Sequence, residues 1–358
     1  MKSVVSVFLA AALILSMTGC GVLNPFSNDT TSSKSYIYVG NFTDRTVEVF
    51  SVDAGTGAMT AVQSFALTTP PAAIAIQKSG KFLYYTDSLQ VFALSIGSDG
   101  KLAAIGSPVN AGVGCTGLES SGSFVYAGCS GAIAAYKIGS DGTITAASGS
   151  PFSFAGGTAS MSLDPTGHTL YVIGSGSAVN GYLKTFVLNT TTGAVAAGSG
   201  DKTFVGLLTG SAIDASGKNL YLVTSTTLGG PASDALNQYA IQSDASLTPV
   251  QSTALAMFPG LISANSAGNI LYVSYQTNYR IQSYTVCSGG VIDTSKFQTL
   301  TLPPAFMRLD ASGKVLVAIL SGNQGVVSFP VDSAGNISPS GGTHLQGKSL
   351  TSIASVVR

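Results

Sequence analysis

The sequence is poor in charged side chains and has no tryptophan. Of its 358 residues only 9% are Asp, Glu, Lys or Arg, and the formal net charge is zero. An average globular domain has about 25%. The lysines and arginines are scattered singly, so no basic stretch is available to follow a phosphate backbone. We therefore expect no nucleic-acid partner.

Side chains that commonly carry catalysis are also scarce. The chain has two histidines, two glutamates and four arginines. It contains no Ser-His-Asp set, no phosphate-binding glycine loop, and no cluster of Cys or His with the spacing of metal ligands. The sequence therefore predicts no metal site, no cofactor and no catalytic constellation.

The first twenty residues have the pattern of an export signal. Lys2 precedes an apolar run of about a dozen residues, which is too short to cross a bilayer. The run ends at Met17-Thr18-Gly19-Cys20, which resembles the bacterial lipobox, in which the cysteine is lipidated. We expect residues 1–19 to be a lipoprotein signal peptide and residues 20–35 to be the lipidated Cys20 and a flexible tether. The alternative is a plain secretory peptide.

This N-terminal pattern predicts a protein of the bacterial cell envelope that lies outside the cytoplasm. It would be attached to a membrane through its lipid alone. In such an oxidising compartment cysteines form disulfides. Cys115 and Cys129 flank one predicted hairpin at positions where antiparallel partners face each other, so we expect a disulfide between them. Two buried free thiols are the alternative.

A short phrase recurs seven times along the chain at steps of 42 to 51 residues. It consists of a glycine, then an apolar run that contains a tyrosine, then a further β-like run. The tyrosine position is occupied by Tyr38, Tyr84, Tyr126, Tyr171, Tyr221, Tyr272 and Val317. Repeats of this length with several short strands indicate a β-propeller or a solenoid.

The ends of the repeat region explain how the ring would close. Residues 36–358 read as seven four-stranded antiparallel blades, but the first copy lacks its inner strand. An extra apolar strand, Leu350 to Val357, follows the last copy. If this strand completes the first blade, no sheet edge is left exposed. We therefore predict an all-β, seven-bladed propeller that is closed by its C-terminal strand and is monomeric.

The same phrases resemble a known family. The segments Tyr38-Val39-Gly40-Asn41-Phe42 and Val47 to Asp53, with the recurring Gly-Lys-x-Leu-Tyr, look like YVTN-type seven-bladed propellers. Within these they are similar to the lactonase-like branch typified by 6-phosphogluconolactonase. That resemblance implies His and Arg just before the inner strands and a glutamate in the channel, which would hold a lactone and activate water.

The chain departs from that pattern where the chemistry would lie. Pro71, Pro259 and Pro304 stand at the expected positions, but Ala, Gly and Phe replace the neighbouring His and Arg. Glu119 aligns with the turn residues Asp164, Asp214 and Asp310, and is therefore predicted to serve a turn. His168 follows a repeat glycine and also reads as a turn residue, while His344 lies in a loop with no partner in view.

Three arginines are the predicted ligand-binding residues. Arg308 occupies an inner-strand position where the other copies have small residues, so it could project into the channel and bind an anion. Arg45 and Arg280 lie in corresponding loops of two blades and are predicted rim contacts. Segments 175–180 and 227–233 are insertions of the kind that usually marks a working face.

Two functions therefore stay open from the sequence. The favoured one is a binding or interaction module for a protein, glycan or small ligand, without catalysis. The alternative is a lactone hydrolase with a degenerate site.

Overall fold

The computed structural model describes residues 34–177, 180–226, 234–256, 258–265, 267–287 and 290–358. These residues form seven antiparallel sheets, and the predicted all-β propeller is confirmed. Within the described ranges no helix is long and apolar enough to span a bilayer. The signal peptide, Cys20 and most of the tether lie outside the described residues.

Each blade contains an inner, a second, a third and an outer strand, counted from the channel outward. From blade 1 to blade 7, the inner strands are β30 (Leu350–Val357), β4 (Ala73–Ile76), β8 (Gly117–Ser120), β13 (Ser160–Leu163), β18 (Leu207–Ile213), β22 (Pro259–Ala264) and β26 (Pro304–Leu309). The second strands are β1 (Ser35–Asn41), β5 (Phe82–Thr86), β9 (Phe124–Cys129), β14 (Thr169–Ser177), β19 (Asn219–Ser225), β23 (Ile270–Tyr275) and β27 (Val315–Leu320).

The third strands are β2 (Thr46–Val52), β6 (Gln90–Ile96), β10 (Ala132–Ile138), β15 (Asn180–Leu188), β20 (Ala235–Ile241), β24 (Arg280–Cys287) and β28 (Val326–Pro330). The outer strands are β3 (Met59–Ala66), β7 (Leu102–Asn110), β11 (Ile144–Ala146), β16 (Val195–Ala197), β21 (Leu247–Ala254), β25 (Gly290–Thr299) and β29 (Thr343–His344). Blades 3 and 4 have additional short strands, β12 (Phe152–Ser153) and β17 (Lys202–Val205), which pair with the third strand.

The ring closes as the sequence predicts. Strand β30 pairs with β1 in antiparallel register from Ser35↔Val357 to Gly40↔Ser352. Each inner strand contacts the inner strands of both neighbouring blades, and β30 contacts β26 on one side and β4 on the other. Because the last strand of the chain completes the first blade, the circle contains no open inner edge.

The repeated tyrosine packs one blade on the next. Tyr38 and Tyr84 are buried, and their hydroxyls donate to the carbonyl oxygens of Gly100 (2.8 Å) and Gly142 (3.2 Å). These glycines lie in turns of the following blade and have positive φ angles of 79° and 86°. A side chain on Gly100 would collide with the Tyr36 ring. In blades 1 and 2 the tyrosine therefore provides both apolar contact area and a hydrogen bond to the next blade, whereas the buried hydroxyls of Tyr126 and Tyr171 have no hydrogen-bond partner among the described residues.

The repeated glycine belongs to the turn between inner and second strands. In blade 4 the Asp164 carboxylate accepts hydrogen bonds from the backbone N–H groups of His168 (2.8 Å) and Thr169 (3.2 Å). Gly167 in that turn has a φ angle of 78°. Asp214 and Asp310 form corresponding turns. The predicted turn role of His168 agrees with this geometry, since its backbone and ring both bond within the turn.

Candidate binding sites at the two ends of the channel

The two faces of the ring are different. All seven inner strands begin on one face, which also carries the connections between blades and the turns between second and third strands; we call it the loop face. The inner strands end on the opposite face, at the turns that contain the repeat glycines; we call it the glycine face. In blade 4 the second strand ends at Ser177 and the third begins at Asn180, and in blade 5 they end and begin at Ser225 and Ala235, all on the loop face. Of the predicted insertions, residues 178–179 and 227–233 lie outside the described residues.

A cavity of about 320 Å³ opens on the loop face between blades 5, 6 and 7. Every side chain that lines it is uncharged. Its lining residues are Leu207, Thr209, Ser225, Phe258, Pro259, Gly260, Leu261, Gln276, Pro304, Ala305 and Ser321. Two of the three prolines at the family's active-site positions, Pro259 and Pro304, are among them. The cavity therefore occupies the place where the resemblance would put His and Arg.

Hydrogen bonds hold the cavity wall and leave the side-chain amide of Gln276 free. The Thr209 hydroxyl donates to the carbonyl oxygen of Gly260 (2.9 Å), and the Ser321 hydroxyl donates to that of Pro303 (2.8 Å). The side-chain amide of Gln276 is exposed and makes no hydrogen bond to the described residues, although its backbone N–H donates to Phe258 (3.0 Å). A ligand could use this amide as both donor and acceptor.

A buried carboxylate fixes the edge of the cavity. Asp234 is 2% exposed and accepts hydrogen bonds from the backbone N–H groups of Thr226 (2.7 Å) and Phe258 (2.9 Å). Phe258 has a φ angle of 54°, which is unusual for a residue with a side chain. Asp234 thus links Thr226 of blade 5 to Phe258 of the cavity wall, and its role is structural.

The structure places the predicted rim arginines on the loop face, but in different blades and surroundings. Arg45 is exposed in the turn between β1 and β2, with a φ angle of 56°. The Arg280 guanidinium lies between two rings, 5.0 Å from the centre of Tyr275 and 5.3 Å from that of Phe297. These contacts are cation–π interactions that stabilise the outer part of blade 6. The two arginines do not form one site with each other or with Arg308.

Glu119 is not a turn residue, and that prediction is wrong. In blade 4 the turn-closing bond from Asp164 N–H to the Thr169 carbonyl spans five residues, whereas in blade 3 it runs from Ser121 to Phe124 and spans three. Ser121 replaces the aspartate, since its hydroxyl accepts from the Phe124 N–H (2.9 Å). Because the turn is two residues shorter, alignment on the glycine misplaces Glu119. Its true position is inside strand β8.

The strand register puts Glu119 and Arg308 at equivalent positions. Glu119 pairs with the repeated tyrosine of its blade, Tyr126, and Arg308 pairs with Val317, which replaces that tyrosine. The other blades have small residues there: Ala354, Ala75, Ser162, Ala212 and Ser263. Seven equivalent positions surround the channel near the glycine face, and two of them carry opposite charges.

These two charges influence each other across the channel. Burial raises the pKa of Glu119 to about 7, and the positive charge of Arg308 acts in the opposite direction. Blades 3 and 7 are not neighbours, so this interaction crosses the open centre of the ring. Arg308 lines a second cavity, of about 420 Å³, at the glycine-face mouth. The two ends of the channel thus differ in character: one is neutral and the other is charged.

The remaining predicted site residues have other surroundings. His344 packs its ring against Phe50, with the ring centres 5.3 Å apart. Cys115 and Cys129 are joined by a disulfide, with their Cα atoms 3.8 Å apart. No group of three or more His, Cys, Asp or Glu in the described part of the chain is placed to hold a metal ion.

Comparison with known proteins agrees with this architecture. Residues 36–172 match the family described as Lactonase, 7-bladed beta-propeller. The resemblance seen in the sequence is thereby confirmed for the first blades, and the fold extends it around the ring. No curated protein of known function matches the chain.

Solved structures share the whole ring at low sequence identity. The periplasmic gluconolactonase PpgL of Pseudomonas aeruginosa is 15% identical, with a TM-score of 0.72 over 90% of this chain and 99% of its own. A candidate 6-phosphogluconolactonase of Bacteroides uniformis is 16% identical, with a TM-score of 0.74 over 90% and 99%. A hydrazine synthase chain of Kuenenia stuttgartiensis is also 16% identical, with a TM-score of 0.59 over 82% and 95%. Because names so different share this ring, the similarity establishes the fold alone.

Proposed function

We propose that this protein is a non-catalytic binding module that takes a neutral, hydroxyl-rich ligand, such as a sugar unit of a glycan, at its loop face. The observation that carries the proposal is the cavity lined wholly by uncharged side chains at the lactonase-like position. It offers hydroxyl groups, a free amide and apolar ring surfaces, which together suit a polar ligand without charge. It offers no acid, base or cation for attack on a lactone.

Exposed apolar side chains support the loop face as the working surface. Most of the large ones lie in its turns and connections rather than on the glycine face: Phe42, Leu89, Val113, Val205 and Tyr279. Apolar groups at the rim of a polar cavity extend the contact area for a ligand that is larger than the cavity.

Binding of uncharged saccharides tests the proposal. Saturation-transfer NMR with glucose, N-acetylglucosamine and their short oligomers should detect binding to the wild-type protein. Ala305→Trp, which fills the cavity, should abolish it, and Gln276→Leu should weaken it by about tenfold through loss of a hydrogen-bonding amide. Gln298→Leu, on an outer strand of blade 6, is the matched control and should bind normally. Equal binding by the wild type and Ala305→Trp would place the ligand elsewhere.

Lactone hydrolysis is the second candidate, and one observation favours it. With its raised pKa, Glu119 is partly ionised at neutral pH and could act as a general base across the channel from Arg308. Turnover of gluconolactone or 6-phosphogluconolactone that is lost in both Glu119→Gln and Arg308→Ala would overturn our preference. Turnover no faster than the uncatalysed reaction supports the binding module.

A further inference from the structure

The charged end of the channel has the properties of a separate binding site. Glu119 and Arg308 stand at equivalent ring positions on inner strands, where five blades have alanine or serine. Their charges interact across the channel, and Arg308 lines the cavity at its glycine-face mouth. They form no ion pair with each other, since the salt bridges of the described residues are all elsewhere. Neither side chain makes a hydrogen bond to the described residues. Both are therefore available to a ligand.

The charged groups in the turns near Glu119 already have partners. The elements that pack against β8 are β4, β5, β9 and β13. They contain no charged residue; Tyr126 and Tyr84 are buried, with their pKa values raised. In the adjoining turns, the Lys78 ammonium donates to the carbonyl of Pro165 (2.8 Å), and Asp164 accepts hydrogen bonds within its turn.

The surroundings of Arg308 lead to the same conclusion. Strands β22, β27 and β30 pack against β26 and contain no charged residue. In the turn that follows β26, Asp310 accepts hydrogen bonds from the hydroxyls of Ser35 and Ser312 (both 2.6 Å). Arg308 is exposed toward the glycine-face cavity, which is large enough for a small organic molecule. Of the charged side chains named here, Lys78, Asp164 and Asp310 have hydrogen-bond partners among the described residues, whereas Glu119 and Arg308 have none.

We propose that the glycine-face end of the channel binds a small organic carboxylate between Arg308 and the protonated carboxyl group of Glu119, and takes up one proton with it. The arginine fork matches the two oxygens of a carboxylate. A protonated Glu119 donates its O–H to the same anion, whereas an ionised Glu119 repels it. The proton comes from the solvent, and no covalent bond forms or breaks.

The pKa of Glu119 sets the pH above which the affinity of the site for a carboxylate would fall. Because burial raises the pKa of Glu119 to about 7, its neutral form dominates below that pH. Affinity should be nearly constant in mildly acidic solution and fall by about tenfold per pH unit above pH 7, because each binding event then requires a proton. This behaviour differs from that of a simple arginine site, whose charge persists throughout this range.

Calorimetric titration of the full-length protein with acetate, glycolate and succinate tests the proposal. We expect binding at about pH 5.5 that is lost by about pH 9. Proton uptake on binding should be near zero at about pH 5.5 and appear at about pH 7–8, where the free protein has an ionised Glu119; buffers of different ionisation enthalpy reveal it. Glu119→Gln keeps a neutral side chain that can donate, so it should bind at both pH values without proton uptake. Arg308→Gln should lose at least tenfold in affinity at every pH. Arg45→Gln, an arginine of the loop face, is the matched control.

Several results would overturn the proposal. One is an absence of binding by the wild type at about pH 5.5 with ligand up to about 10 mM. The others are normal affinity in Arg308→Gln and the wild-type pH dependence of affinity in Glu119→Gln. Inorganic phosphate that binds while the carboxylates do not would refute the ligand class. Because the saccharide cavity is at the other end of the channel, Ala305→Trp should leave carboxylate binding unchanged, so the two sites can fail independently.

Discussion

Burial raises the pKa of the Glu119 carboxyl group to about 7. The aspartates with a shifted pKa, such as Asp44, Asp53 and Asp141, have it lowered by hydrogen bonds from neighbouring groups. Glu119 has no such donor, and half-burial removes much of its hydration. The charge of Arg308 offsets this only in part. A carboxylate in this position destabilises the fold unless it is protonated or meets a ligand.

Glu119→Gln should therefore stabilise the protein, and only at higher pH. The pKa of Glu119 rises on folding from its ordinary value of 4.5 to about 7. The folded protein thus binds the extra proton between these values, and wild-type stability declines as the pH increases through this window. The gain from the substitution should be small at about pH 4 and reach up to ~3 kcal/mol above pH 7, as an upper bound that solvent access reduces.

Denaturant unfolding of both proteins across this pH range measures the gain. Glu48→Gln changes the only other glutamate and is the matched control. The Glu48 carboxylate accepts hydrogen bonds from Thr46 (2.6 Å) and Ser64 (2.9 Å), so its replacement should give no gain at high pH. A gain from Glu119→Gln that is equal at all pH values would contradict the electrostatic explanation.

At the scale of elements, the sequence predicts the blades well and one turn badly. The strand pattern, the turn aspartates and the buried tyrosines recur once per blade. Each copy therefore supports the strand assignment of the others. A deletion of two residues in the turn after β8 breaks the pattern locally. Glu119 then moves from an apparent cap to the channel, and alignment on the glycine cannot detect this. Alignment on the tyrosine cannot detect it either, because the glycine and the tyrosine are four residues apart in both blades. The strand register shows the difference, since Glu119 precedes its partner Tyr126 by seven residues, whereas Ser162 precedes Tyr171 by nine.

The loop-face cavity could not be predicted for a related reason. Its lining comes from three blades and from both strand starts and loops, and none of these residues carries a chemical signature in the sequence. The absence of His and Arg beside Pro259 and Pro304 indicates only that the cavity lacks the charged groups that the lactonase-like resemblance implies. Only the closed ring shows that Thr209, Gln276 and Ser321 meet around one space.

The closing strand β30 should contribute strongly to stability. Ile353 is 1% exposed and packs in a cluster with Ile37 and Val39 of blade 1 and Val315 and Val317 of blade 7. Ile353→Ala should lower the free energy of unfolding by about 2–5 kcal/mol, and Ile353→Val by about 1 kcal/mol. Deletion of residues 346–358 should open the ring and sharply lower the melting temperature. Calorimetry is the measurement, and an unchanged cooperative melt after the deletion would contradict closure by this strand.

At the scale of the whole molecule, the described chain enters the ring at a defined point. Strand β1 runs antiparallel to β30, and Ser35 pairs with Val357 at the end of that inner strand. Lys34 and Arg358 exchange backbone hydrogen bonds beside them (2.7 and 2.8 Å). The described chain thus enters the ring on the glycine face. If Cys20 holds a lipid, the 14 residues between it and Ser35 reach at most about 50 Å, and the loop face is the one farther from the point of attachment.

Lipid attachment at Cys20 should decide where the protein is found. With several acyl chains the wild type should sediment with bacterial membranes and incorporate labelled palmitate, because lasting attachment requires more than one chain. Cys20→Ala should lose the label and move to the soluble fraction, since the ring is neutral overall and has no basic segment to hold it at an anionic surface. Ser27→Ala, in the same N-terminal segment, should behave like the wild type. Membrane association that persists in Cys20→Ala would rule out the lipid anchor and point instead to contact through the ring itself.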